Sequence, residues 1–112
     1  MNYTAFGDLV TQIDIPVDGT ISRTIYQDAQ VKAVLFGFAA GQELSEHTSA
    51  MAAILHIVQG EARVTLGADS VAAQANTWIH MPPRLPHSIA AQTPVIMLLL
   101  LLKGDPAQGA QS

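Results

Sequence analysis

Residues 41–66 read GQELSEHTSAMAAILHIVQGEARVTL, and their interpretation decides the fold. A glycine turn at Gly41 leads to an isolated His47 and then to a mostly apolar run over residues 51–58. Gln59-Gly60 interrupts that run, and residues 61–66 alternate polar with apolar side chains. Period-two alternation is the signature of a half-buried strand, and glycine supplies the positive φ of a tight turn. The stretch predicts two strands joined as a hairpin at Gly60. His47 then stands where the first strand begins, with Glu43 and Glu46 on the loop before it. A second histidine in a similar setting, His87, ends the segment MPPRLPH at residues 81–87.

The same grammar extends to both sides. Residues 20–26 (TISRTIY) place Ile21, Arg23 and Ile25 on one face of an edge strand. Residues 31–38 (VKAVLFGF) form a stronger strand, rich in β-branched and aromatic side chains, in which Gly37 predicts a bulge or a close backbone approach. Short strands follow over residues 70–73, 77–81 and 88–91, punctuated by a turn at 67–69 and by Pro82-Pro83. The run VIMLLLLL at 95–102 has only eight residues between Pro94 and Lys103-Gly104, which fits a strand buried on both faces better than a helix. At the N-terminus, Phe6 and Leu9 predict an edge strand or one helical turn, ended by Pro16. Residues 106–112 (PAQGAQS) read as a disordered tail. Short strands at regular spacing, with no long helix, predict one all-β domain over residues 1–112, a sandwich or barrel.

Composition narrows the functions. Charged residues make up 12%, about half of the roughly 25% usual in globular chains. So few charges predict that part of the surface is buried in a homodimer, through the outer sheet face. Cysteine is absent, which excludes disulfides, thiolate catalysis and zinc–cysteine sites. A net charge of -4 with five Lys+Arg leaves no basic stripe for nucleic acid. The longest apolar run is far short of the roughly 20 residues of a membrane helix, and residues 1–10 do not resemble a signal peptide. A cytoplasmic protein with no membrane partner is expected.

At this point the sequence resembles the cupins, small jelly-roll (double-stranded β-helix) barrels, over residues 31–103. Their first motif, G-x5-H-x-H-x3-E-x6-G, is matched by Gly41, His47 and Gly60, with Ser49 and Ala53 where a histidine and a glutamate are usual. Their second, G-x5-P-x-G-x2-H-x3-N, is matched by Pro82 and His87, with Asn76, Arg84 and Ala91 in place of Gly, Gly and Asn. The chain looks most like short single-domain cupins of the RmlC-like, conserved-barrel kind with no assigned function.

The resemblance implies metal ligands at His47 and His87, with nickel, zinc, manganese or iron as the candidate divalent ion. His80 is a possible third ligand. A four-residue loop over 83–86 would turn His80 toward His87, and a five-residue loop would turn it outward. The resemblance also implies a ligand pocket at His47, Ser49, Ala53, Leu55, Phe36 and Met81, suited to an uncharged or weakly acidic, partly apolar small molecule. His56 is expected to face outward with Ile54 and Val58. Phe36, Phe38 and Trp78 are expected in buried packing. Three functions follow: a small-molecule-binding cupin, a metal-dependent enzyme of the dioxygenase, isomerase or lyase type, or a non-catalytic sensing or interaction module.

Overall fold

The computed structural model describes residues 2–104, so the expected disordered tail lies outside the described residues. Within them the chain forms a 3₁₀ turn (Leu9–Gln12) and nine strands: β1 (Thr20–Gln27), β2 (Val31–Phe38), β3 (Glu43–His47), β4 (Ala52–Gln59), β5 (Ala62–Leu66), β6 (Asp69–Ala73), β7 (Trp78–Met81), β8 (His87–Ala91) and β9 (Val95–Leu102). Two antiparallel sheets result, in the orders β1-β2-β9-β4-β7 and β3-β8-β5-β6. Eight strands fall where the sequence reading puts them. The ninth, β3, occupies the segment read as a loop carrying Glu43 and Glu46. Only Leu44 in it is apolar, so a polar edge strand left no alternation to read.

The hairpin expected at Gly60 does not form. β4 pairs with β7 and β9 in the larger sheet, whereas β5 pairs with β6 and β8 in the smaller one. Gly60 is thus a corner where the chain crosses between sheets, beside a second corner over residues 92–94. The amides of Gln92 and Thr93 donate to the Glu61 carbonyl, and the Glu61 amide donates to Thr93 Oγ1. Glycine is required here for two reasons. Its φ is +94°, and a Cβ would sit 2.1 Å from the Pro94 carbonyl oxygen.

Inward-facing side chains of both sheets interlock into the core. Phe38, Leu55, Ile57, Val64, Val95 and Met97 are wholly buried in it, each contributing about 1.5–3 kcal/mol by leaving water. β9 lies at the centre of its sheet, and Val95, Ile96 and Met97 are buried on both faces. On the outer face, Leu35 and Ile96 pack under Ile13 and Ile15 of the N-terminal segment. That segment begins its single turn at Asp8, whose carboxylate accepts from the Val10 amide. Gly37 stays in register with both neighbouring strands, so it marks no bulge. It admits the backbone of Asp14 and Ile15 at 3.5 Å from where a Cβ would stand. No helix among the described residues is long and apolar enough to cross a membrane.

Candidate functional site

β3 and β8 end at the same rim of the smaller sheet, and there His47 pairs directly with His87. On β8, buried His87, Ile89 and Ala91 alternate with half-exposed Ser88 and Ala90, so His87 points inward. The two imidazoles meet edge to face, with centroids 4.1 Å apart and planes inclined at 62°. His47 is exposed, while His87 keeps only 5% of its surface accessible.

Each ring is held in the same way. His47 Nδ1 lies 3.0 Å from the Ser45 carbonyl oxygen, and His87 Nδ1 lies 2.9 Å from that of Leu85. A carbonyl can only accept, so both Nδ1 atoms carry the proton, and in the neutral rings both Nε2 atoms are bare acceptors. Among the described residues no hydrogen bond ends at either Nε2, yet no buried side-chain nitrogen or oxygen lacks a partner. The small accessible part of His87 therefore includes its Nε2, which opens to the rim beside His47.

The loop before His87 is strapped to the link between β3 and β4. The Arg84 amide donates to the Ser49 carbonyl at 2.7 Å, and Leu85 N reaches back to the Pro82 carbonyl at 3.4 Å. Arg84 adopts φ +67° at the third position of that turn, and Asn76 adopts φ +75° in the turn closed by Thr77 N and Gln74 O. These are the two positions where the resemblance calls for glycine. A type II turn needs positive φ there, which is why glycine is usual and why an arginine is strained. The strain at Arg84, between the two histidine arms, was missed in the sequence; an arginine on a glycine position was the signal.

The other expected site residues are dispersed. Ser49 is half-buried, and its Oγ accepts from the Met51 amide. Ala53, Leu55 and Met81 have 3, 0 and 2% exposure, so they fill the barrel and line no opening. Phe36 is half-buried and stacks on Phe38 at 5.9 Å. His80 pairs with Ile54 on the outer face of the larger sheet, one residue out of phase with inward Met81, and is exposed. The loop-length question disappears because β7 and β8 lie in different sheets and form no hairpin. His56 faces outward as expected. Trp78 does too, against the expectation of burial, and leaves 60% of its surface in solvent. Glu43 and Glu46 border a cleft of about 280 Å³ on the outer side of the smaller sheet, lined by Arg63, Thr65 and Ser88 and not by either rim histidine.

No protein-family model and no curated protein matches the sequence. Solved structures do. A conserved protein of unknown function from Streptococcus pyogenes superposes with a TM-score of 0.82 at 28% identity, over 94% of this chain and 92% of its own. A cupin superfamily protein from Desulfitobacterium hafniense gives 0.81 at 26% identity, over 86% and 88%. The chain is a small cupin-fold protein. An RmlC-like cupin from Desulfovibrio desulfuricans (TM-score 0.80, 20% identity, 90% and 98% covered) and KdgF from Halomonas sp. (0.74, 18%, 80% and 85%) share the fold.

The donor set of this cupin can be tested against a resident metal. Imidazole nitrogen suits first-row divalent ions, but a catalytic centre usually takes three protein ligands. Here Ser49 is engaged by backbone, Ala53 has no donor, and His80 faces the other way. No cluster of three or more His, Asp or Glu side chains able to hold an ion occurs among the described residues. Two imidazoles alone do not fit a resident catalytic metal.

Proposed function

We propose that this cupin binds a small hydroxylic or weakly acidic molecule at the barrel rim, where the ligand donates hydrogen bonds to Nε2 of His47 and His87. The observation that carries this reading is the fixed tautomer of both rings: each Nδ1–H is consumed by a backbone carbonyl, which leaves two acceptors side by side. Such a pair is preorganised, since neither ring must turn or exchange its proton to receive a ligand. The packed interior supports a shallow footprint on the rim, with Leu44, Leu66 and Leu85 as its apolar surroundings. A divalent ion would be held at the same two nitrogens only weakly and exchangeably, so no reaction step is assigned to one.

The test is a screen of small phenols, enols and carboxylic acids against ¹⁵N-histidine-labelled protein. Binders are expected to move the Nε2 resonances of both rings together, and His87→Ala should abolish the response. Silence at both rings across the whole set would sink the proposal.

A further inference from the structure

The smaller sheet carries a second feature, on the face turned away from the barrel. There the small side chains of Ser88 and Ala90 on β8 form the floor of the cleft of about 280 Å³. Two walls flank it, because β8 lies between β3 and β5. Glu43 and Arg63 both stand opposite Ala90, so a carboxylate, a methyl group and a guanidinium share one row across three strands. Thr65 stands opposite Ser88 in the next row. Glu46 follows Glu43 by three positions, and strict alternation would turn it into the barrel. A bulge prevents this: between the pairs Leu44–Ile89 and His47–His87, two residues, Ser45 and Glu46, oppose the single Ser88. Both therefore border the cleft together with Glu43, while His47 returns to the side of His87.

We infer that this cleft binds a short free amino acid, with the ammonium group on Glu43 and Glu46 and the carboxylate on Arg63. Arg63 is the only lysine or arginine on the four strands of this sheet. Its Nη1 donates to Ser70 Oγ at 2.9 Å, and Ser70 belongs to β6, on the far side of β5. The guanidinium is thus held away from the acidic wall. It has five N–H donors, and those not given to Ser70 leave a fork for a carboxylate. Opposite charges stand apart with a cleft between them, and a ligand carrying both signs completes the arrangement. Size agrees. Two strand spacings set the walls about 10 Å apart, and an ion pair of about 2.8 Å at each end leaves roughly 4 Å between the ligand's charges. A single exposed ion pair is weak in water, so neither wall holds a ligand by itself, whereas a zwitterion engages both at once. The site is separate from the histidine rim, since Ser88 and His87 point to opposite faces of β8.

The experiment is a ¹H–¹⁵N NMR titration of the full chain with glycine, β-alanine and γ-aminobutyrate, and with propionate and propylamine as analogues of one charge each. At least one of the three amino acids is expected to shift the amides of Glu43, Arg63, Ser88 and Ala90 together and to saturate. It should bind at least about tenfold more tightly than either analogue. Arg63→Gln and Glu43→Gln, both at exposed positions, should each weaken that binding at least about tenfold, with unchanged far-UV circular dichroism. Ala90→Leu, which fills the floor without touching a charge, should weaken it as well. No saturation by any of the three amino acids overturns the inference. So does equal binding of propionate or propylamine, which would mean solvated charges acting singly. Full affinity in the folded variants, or a response confined to the imidazole Nε2 resonances of His47 and His87, would overturn it too.

Discussion

His47 and His87 face each other across β3 and β8 with ring centroids 4.1 Å apart, and each is anchored through Nδ1 to the carbonyl two residues before it. The relationship joins residues forty positions apart in sequence, and it makes the rim a paired acceptor and not two separate side chains.

The two rings should differ in structural weight. His47 is exposed, so His47→Ala should change the unfolding free energy by less than about 0.5 kcal/mol. His87 is buried, and His87→Ala leaves a void and removes the donor to Leu85, at a cost of about 1–3 kcal/mol. Urea denaturation of both variants decides the matter; equal losses would contradict the assignment of His87 to the interior.

Arg84→Gly should stabilise the fold. Left-handed backbone costs a non-glycine residue about 1–2 kcal/mol, and the greater freedom of glycine in the unfolded chain returns part of that, leaving a gain of roughly 0.5 kcal/mol. Thermal unfolding measures it. A loss of stability would mean that the arginine side chain makes contacts that outweigh its strain.

Gly60→Ala and Gly41→Ala separate strain from collision. Both glycines have positive φ, but a Cβ at Gly41 meets nothing within 4 Å, while at Gly60 it would strike Pro94, Thr93 and Val95. Gly41→Ala should cost about 1 kcal/mol. Gly60→Ala should cost more than about 3 kcal/mol or prevent folding, because two backbone corners must separate. Comparable midpoints for the two variants would refute the crossing of the chain at Gly60.

Asp28 gives the fold an acid-sensitive turn. The Gln30 amide, the Tyr26 hydroxyl and the Val31 amide donate to its carboxylate, and these hold its pKa below the ordinary value. A depressed carboxylate stabilises fully above the unfolded value near ~3.9 and loses that contribution as the pH falls through the folded one. Asp28→Asn should therefore be less stable than wild type at neutral pH, and the gap should close in acid. Tyr26, raised by the hydrogen bond to Asp28 and by its negative charge, loses its part only at alkaline pH. Denaturation midpoints against pH would show it; a gap that does not change with pH would exclude the mechanism.

Much of this architecture was legible before the structure. Alternation in residues 62–66 marked a strand because period two records that one face is buried, and the β-branched run of β2 and the short run of β9 between Pro94 and Lys103-Gly104 marked two more. Turn chemistry was equally local: glycine at 41, 60 and 67 marks positive φ. The resemblance carried by the residues around His47 and His87 implied a cupin barrel with a depleted metal motif, and against that motif Ser49 and Ala53 are visible as missing donors without any coordinates.

What the tertiary structure alone decided is which strands pair and therefore which side chains meet. A strand entering a glycine corner has the same alternation whether it folds back on its neighbour or crosses to the facing sheet. Residues 41–66 thus read as a hairpin although β4 and β5 lie in different sheets. The same ambiguity left His80 open until β7 was seen to pair with β4, and it hid Trp78, whose outward position depends on that pairing. Local pattern fixes which residues share a face; only the long-range contacts of a closed barrel fix what each face looks onto.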